Sequence, residues 1–250
     1  IWVTNYTGSA TWTNPNQTAH TYTFMDRNLG ATEAANSLAG RGLFYQWGRK
    51  DPFPGIKAGT AGFAALDKFY GIEQYGAGSS TAAVKVSSSD NAGAIVESIQ
   101  NPATFYSFLN KFNWLPALDH NLWSTNSISS GKKNIYDPCP SGWRVPARID
   151  TSMSDDYSPW KGVPHSTPWS SGSDTGGVNL GTNALYPAAG YREYHRGRIN
   201  GEGSFGCYWS ASPYGNTSDA SLLNFDYSGQ VHWSFCLDRA NGFSVRCTQE

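Results

Sequence analysis

Charge is what this sequence has least of: Asp, Glu, Lys and Arg make up 15% of its 250 residues, and the net charge is −1. That scarcity excludes the basic stripe of a nucleic-acid-binding protein and the acidic block of a disordered tail. Long apolar runs are missing as well, and no stretch reaches the ~18 consecutive apolar residues of a membrane-spanning helix. The cysteines, Cys139, Cys207, Cys236 and Cys247, form no C-x-x-C pair, which sets aside zinc ribbons and thioredoxin-like sites. His20, His120, His165, His195 and His232 each stand alone, outside any H-E-x-x-H or nucleophile-elbow pattern. The adjacent acids Asp155 and Asp156 sit in a serine-rich stretch, where solvated carboxylates are the ordinary case. With no converging acid–base set, neither an enzyme nor a cofactor or metal site is expected. The chain opens on Ile1-Trp-Val-Thr, without a charged leader or cleavage site, as a mature product or an excised segment would.

What is present is aromatic and turn-forming. Phe, Trp and Tyr reach 14%, with 10 Trp and 14 Tyr beside 27 Gly and 13 Pro. Few charges, many rings and many turn formers point to a loop-rich α+β domain with small antiparallel sheets and few helices, suited to an extracellular binding protein. Residues 1–30 read as paired strands around an Asn14-Pro-Asn turn. Gly42-Leu-Phe-Tyr-Gln-Trp-Gly48 reads as core. Residues 49–130 read as a long insertion with glycine-rich loops at 59–62 and 76–81, and Ala92 to Ile99 suits a strand or a short helix. Phe105, Phe108, Leu109 and Phe112 recur at helical spacing after Asn101-Pro102, which predicts a helix over 102–114. Three prolines frame a short buried strand, Trp143-Arg-Val145. Residues 147–183 read as long loops, Ala184–Arg192 as a strand, and the following polar stretch as a hairpin or loop. No internal repeat or linker divides the chain, so one domain over 1–250 is expected.

The last third organises the rest. It begins at Gly206-Cys-Tyr-Trp-Ser-Ala-Ser and ends at Asn241-Gly-Phe-Ser-Val-Arg-Cys247, both read as core strands. Between them Tyr, Trp, Phe and His alternate irregularly with Ser, Asn and Asp, a composition that binding surfaces favour because rings give contact area at low entropy cost. The ligand-facing set read from this segment is Tyr214, Asn216, Ser218, Asp219, Ser221, Asp226, Tyr227, His232, Trp233, Ser234, Phe235, Leu237 and Asp238. Cys139 lies in a Pro-Cys-Pro turn and Cys247 ends the last strand-like run. A bridge between them closes a loop of about 108 residues and is worth roughly 4–5 kcal/mol by chain entropy. Four free, buried thiols in a reducing compartment are the alternative to this bridge and an oxidising location.

Six stretches occur in a fixed order: Asp26-Arg-Asn-Leu-Gly-Ala-Thr32, Gly42–Gly48, Asp137-Pro-Cys-Pro-Ser-Gly-Trp-Arg-Val-Pro146, Pro187-Ala-Ala-Gly-Tyr-Arg192, Tyr208-Trp-Ser-Ala-Ser212 and Gly242-Phe-Ser-Val-Arg-Cys247. The set resembles the Fibrobacter succinogenes major paralogous domain family, common on the surfaces of Bacteroidetes. The resemblance implies a C-type-lectin-like fold in which N- and C-terminal strands pair and a small second sheet carries ligand-facing loops. A disulfide often pins its core, which the Cys139–Cys247 bridge fits. It also implies a surface location, on lipoproteins or fimbriae, with a protein or glycan as ligand or pilus subunits as partners. The calcium-lectin signatures Glu-Pro-Asn, Gln-Pro-Asp and Trp-Asn-Asp are missing. The chain departs from the family after Pro146, where Ala147–Asp156 lacks the usual helix pattern. The fold also hosts formylglycine-generating enzymes, for which only Cys207 and Cys236 remain as a cysteine pair.

The closing segment further resembles the variable region of proteins diversified by a retroelement that mutates adenines. Mutated AAC codons yield the residue types found at Tyr214, Gly215, Asn216, Ser218, Asp219, Ser221, Asp226, Tyr227, His232, Ser234, Phe235, Cys236, Leu237 and Asp238. Trp209, Ser210, Phe225, Val231, Arg239, Gly242 and Val245 read as fixed scaffold, and Gln230 and Trp233 fall outside that codon set.

Overall fold

The computed structural model describes residues 9–14, 20–35, 37–57, 83–107, 112–166, 176–181 and 184–250. Among them strands predominate, with one α-helix and small, mostly antiparallel sheets, the loop-rich α+β class that the composition predicts. A terminal sheet orders β1 (Ser9–Thr13), β2 (Thr21–Met25), β15 (Thr248–Gln249) and β5 (Trp143–Arg144). Thr248 pairs with Phe24 on one side and Arg144 on the other, so the two ends of the described chain meet in one sheet. The largest sheet orders β10 (Ile199–Asn200), β9 (Tyr191–Arg192), β14 (Gly242–Ser244), β11 (Phe205–Pro213), β12 (Asp219–Asp226) and β13 (Val231–Asp238). To it β14 adds β3 (Leu43–Gln46), which pairs in turn with β4 (Pro52–Pro54). A third sheet holds β6 (His165–Ser166), β7 (Gly177–Leu180) and β8 (Ala184–Pro187).

Strand β11 divides two hydrophobic cores. Cys207, Trp209 and Ala211 enter a cluster with Trp47, Trp114, Trp123, Val145 and Phe243. Tyr208 points the other way, into a cluster with Phe24, Trp160, Tyr186, Leu223 and Phe225. Because both faces are covered, the strand is apolar nearly throughout rather than alternating. Gly206 fits this packing closely: a Cβ there would lie 2.0 Å from the ring of Phe225, its cross-strand partner. Gly48 ends the β3 segment at φ +87°, and a Cβ on it would meet Leu122 at 2.2 Å.

The ordered stretches of the sequence converge on one buried network. Asn28 Nδ2 donates to the Arg41 carbonyl and to the Tyr208 hydroxyl, which donates onward to the Pro187 carbonyl at 2.7 Å. Asn28 Oδ1 accepts from Arg246 Nε and Nη2 at 3.1 and 2.8 Å, and Arg246 also reaches the Leu185 carbonyl at 2.7 Å. The Arg246 guanidinium lies 4.0 Å over the Tyr186 ring. Nearby, Cys139 and Cys247 form the expected disulfide across 108 residues. Its turn is held by Asp137, a fully buried carboxylate accepting from the amides of Cys139 and Val145 at 2.8 Å each. Lys133 Nζ donates to the carbonyls of Cys139, Pro140 and Trp143.

Three expectations are corrected. The helix is α1, Asn91–Gln100, and 102–107 are not helical. Asp90 caps its start by accepting from Gly93 N, while Asn101 closes its end by donating its amide to the Glu97 carbonyl. Pro102 then disfavours helical geometry at the residue before it, so Asn101-Pro102 is a stop rather than a start. Phe105 packs beside Phe53 in a third core cluster and Tyr106 bridges in parallel to Val84, while Phe108, Leu109 and the glycine-rich loops at 59–62 and 76–81 lie outside the described residues. The described part of 49–130 is not an elaboration: Val86, Ala94, Tyr106, Trp114, Leu115, Leu122 and Trp123 enter the main core. The strand expected over 184–192 breaks at Ala188–Ala189 into β8 and β9, in different sheets.

Two stability tests follow from these ties. Replacing Cys139 and Cys247 together by Ser should lower the unfolding free energy by about 4–5 kcal/mol, read from urea denaturation. Arg246→Met strands several buried acceptors and should cost about 3 kcal/mol or more. A loss within about 1 kcal/mol would show that solvent replaces those bonds.

Candidate ligand-binding surface

The segment between the two core strands forms a long hairpin. β12 pairs with β13 from Asp219↔Asp238 to Phe225↔Val231. The alternation that would have revealed it is hidden, because both faces of β12 are buried and β13 carries an irregularity. The register passes from Leu222↔Phe235 to Asn224↔His232, leaving Trp233 and Ser234 together opposite Leu223. This bulge has a direct consequence. In a regular strand, residues three apart point to opposite faces; the extra residue returns His232 and Phe235 to the same face. Their rings lie 5.5 Å apart, His232 is exposed and Phe235 is 40% exposed. Around them on that face are Asn224 opposite His232 and Leu237, which packs partly against the main core. Phe205 on β11 alternates with Cys207 onto the same face. Phe205 and Asn224 are contributors that sequence reasoning passed over.

The remaining residues of the expected set divide. Ser221 is buried, and its hydroxyl, with that of Ser234, accepts from Arg148 Nη1 on the face opposite Phe235. These two serines are therefore engaged within the fold rather than presented. Trp233 packs against the second core, meets His165 edge-on at 5.4 Å and accepts from the Ser158 hydroxyl at its carbonyl. Tyr227 is 66% exposed at the hairpin tip, where Asp226 Oδ1 accepts from the amide and hydroxyl of Ser228. Strand rise puts that tip roughly 23 Å from the other end of β12. At that other end stand Tyr214, Asn216 and Ser218 in the β11–β12 loop, with Asp219 and Asp238. Ser218 shares with Asn113, Pro116, Ala117 and Leu118 a shallow depression of ≈ 390 Å³. The expected set thus occupies two faces and two ends of one hairpin.

The far end also holds a pair of carboxyl groups. Asp219 and Asp238 face each other across the ladder, and burial, joined by the hydrogen bond and charge of Asp219, pushes Asp238 up to about 7. Arg239 Nε donates to the Asp219 carbonyl and Nη1 to the Asp119 carbonyl, while its guanidinium covers the Trp47 ring at 4.4 Å. Its Nη2 lies 3.0 Å from His120 Nδ1, which must accept because guanidinium only donates. Burial and the Arg239 charge hold His120 below the usual imidazole range.

The two free thiols lie on opposite faces of the sheet. Cys207 faces the main core, where burial pushes it up to about 12. Cys236 pairs with Ser221 on the opposite face of the sheet, and burial raises it too. They cannot act as a cysteine pair.

No family model, curated protein or solved structure matches this chain.

The carboxyl pair makes stability depend on pH with a definite sign. Asp238 binds its proton more tightly in the folded chain, so this stabilisation is complete below the unfolded value of 3.8 and is lost as pH rises through about 7. Urea unfolding from about pH 4 to about pH 8 should show a loss of about 1–2 kcal/mol after solvent screening. Asp238→Asn should remove that part of the decline; an unchanged profile would assign it elsewhere.

Proposed function

We propose that this chain is an extracellular ligand-binding module of C-type-lectin-like fold, a surface receptor or adhesin whose contact surface is the bulged face of the β12–β13 hairpin. The observation that carries the reading is the pairing of His232 and Phe235 on one exposed face by a bulge that regular pairing would not produce. Bulges of this kind aim side chains at functional surfaces. Phe235 and His232 are the anchors, and Asn224 and Leu237 flank them on the same face. Pairing of the terminal strands and a disulfide-pinned turn agree with the resemblance in the sequence, and the disulfide suits an oxidising location. The ligand is a protein or a glycan displayed at a surface.

Retroelement diversification belongs to the same proposal. Exposed or half-exposed positions such as Asn216, Ser218, Tyr227, His232, Phe235 and Asp238 tolerate exchange without disturbing a core. Ser221 and Ser234 do not share that freedom, since each takes a bond from buried Arg148. Variation between sister genomes should therefore concentrate on the first group and spare Trp209 and Val245.

The alternative role is that of a fimbrial capping subunit. It is favoured by the place of β13 at the outer end of its sheet, an edge that another strand can extend. Protein and glycan arrays, followed by titration of variants against the captured ligand, separate the two. Phe235→Ala and His232→Ala should each weaken ligand binding by about tenfold or more. Val96→Ala, exposed on α1 away from the hairpin, should change it less than about twofold. Retained affinity in both face variants would overturn the assignment, and capture of a pilus subunit alone would favour the structural role.

A further inference from the structure

A second recess lies away from the hairpin, between α1 and the turns at 48–51 and 134–136. It measures ≈ 280 Å³ and is lined by Ile95, Ile99, Trp114, Ile135 and Tyr136, with Arg49, Lys50 and Asp51 among its polar lining. Its rim carries unusual apolar exposure: Ile99 is 56% and Ile135 72% exposed, each costly to leave in water unless something covers it. The walls are nonetheless held in place. Lys50 Nζ donates to the Ile135 carbonyl at 3.3 Å, Asn134 Oδ1 accepts from the Ile135 amide at 2.7 Å, and Asn134 Nδ2 reaches the Asn121 carbonyl at 2.8 Å. On the inner side Trp114 Nε1 donates to the Trp47 carbonyl at 2.8 Å, and Ile95 and Tyr136 pack on the main core. Such a preformed apolar recess with a few convergent polar groups is the usual form of a small-ligand site.

The charges choose the ligand. Among the described lining residues, the Arg49 guanidinium is buried with its Nη2 3.4 Å from Asp51, and the Lys50 ammonium is exposed. The exposed Lys50 ammonium thus stands at the mouth of an otherwise apolar recess. We propose that this recess binds a small carboxylic acid with an apolar body. The body, of the size of a phenyl ring or a short alkyl chain, lies against Ile95, Ile99, Trp114 and Tyr136. The carboxylate sits at the mouth on Lys50, with the Arg49 charge behind it. The site shares no residue with the hairpin surface, so the two readings stand or fall separately.

The test is calorimetric titration of the whole chain with three probes of matched body: phenylpropionate, phenylpropylamine and phenylpropanol. The acid should bind at least about tenfold more tightly than the amine, with the alcohol between them. Ile95→Trp, which fills the recess from α1, and Lys50→Met should each weaken the acid by about tenfold or more. Ile99→Asp, an exposed rim change that cannot unfold the core, should weaken the acid and favour the amine. Equal binding of acid and amine would overturn the proposal. So would binding of the acid that Ile99→Asp leaves unchanged, or the absence of acid binding in a folded wild-type chain.

Discussion

Buried guanidinium bonded to main-chain carbonyl is the interaction on which the rest of this structure depends. A domain made largely of turns and short strands leaves many interior carbonyls without a ladder partner, and each must find a donor. Arginine offers five donors in a planar fork and loses less on desolvation than an ammonium. Arg246 takes the Leu185 carbonyl, Arg192 those of Pro54 and Gly197, Arg144 those of Ser129 and Gly131, and Arg49 that of Thr104. Two of these cations are covered by rings, Arg246 by Tyr186 and Arg49 by Phe53, Tyr106 and Trp114, so that aromatic faces replace water. The low charge count and the high aromatic count of the chain are thus linked: several of its arginines are used inside, and rings line some of them.

The same device positions the candidate surface. Arg239 follows β13 directly, and its side chain fastens the hairpin base to the Asp119 and Asp219 carbonyls. Arg148 braces the hidden face through Ser221 and Ser234. With one face braced and one end fastened, the bulge at Trp233–Ser234 presents His232 and Phe235 from a rigid strand rather than a loop, which lowers the ordering cost of any contact they make.

Segment 46–49 joins the two candidate sites structurally. Trp47 donates its amide to the Arg239 carbonyl at 3.2 Å and accepts from Trp114 at its own. Gln46 Nε2 bridges the carbonyls of Tyr106 and Ala240. The hairpin base and the recess beside α1 therefore both rest on one short, fully buried stretch, which turns at Gly48 with positive φ.

Much of the scaffold was legible because it follows from local chemistry. The apolar runs at 43–47, 206–212 and 242–247 had to be buried, the turn formers had to make short elements, and Cys139 and Cys247 stood where a core bridge was expected. Phe105 to Phe112 misled because helical spacing competes with long-range claims on the same backbone: Arg49 takes the Thr104 carbonyl and Gln46 that of Tyr106. The hairpin 219–238 was hidden because a strand buried on both faces does not alternate, and a bulge shifts the phase of its partner. By itself, then, the sequence determined the class through its composition, and it pointed to the main apolar runs and to the Cys139–Cys247 bridge. Which residues share a face, which serines are consumed by Arg148, and where Arg49 and Lys50 meet exposed isoleucines were decided only by tertiary structure, since each depends on register and on contacts between residues far apart in the chain.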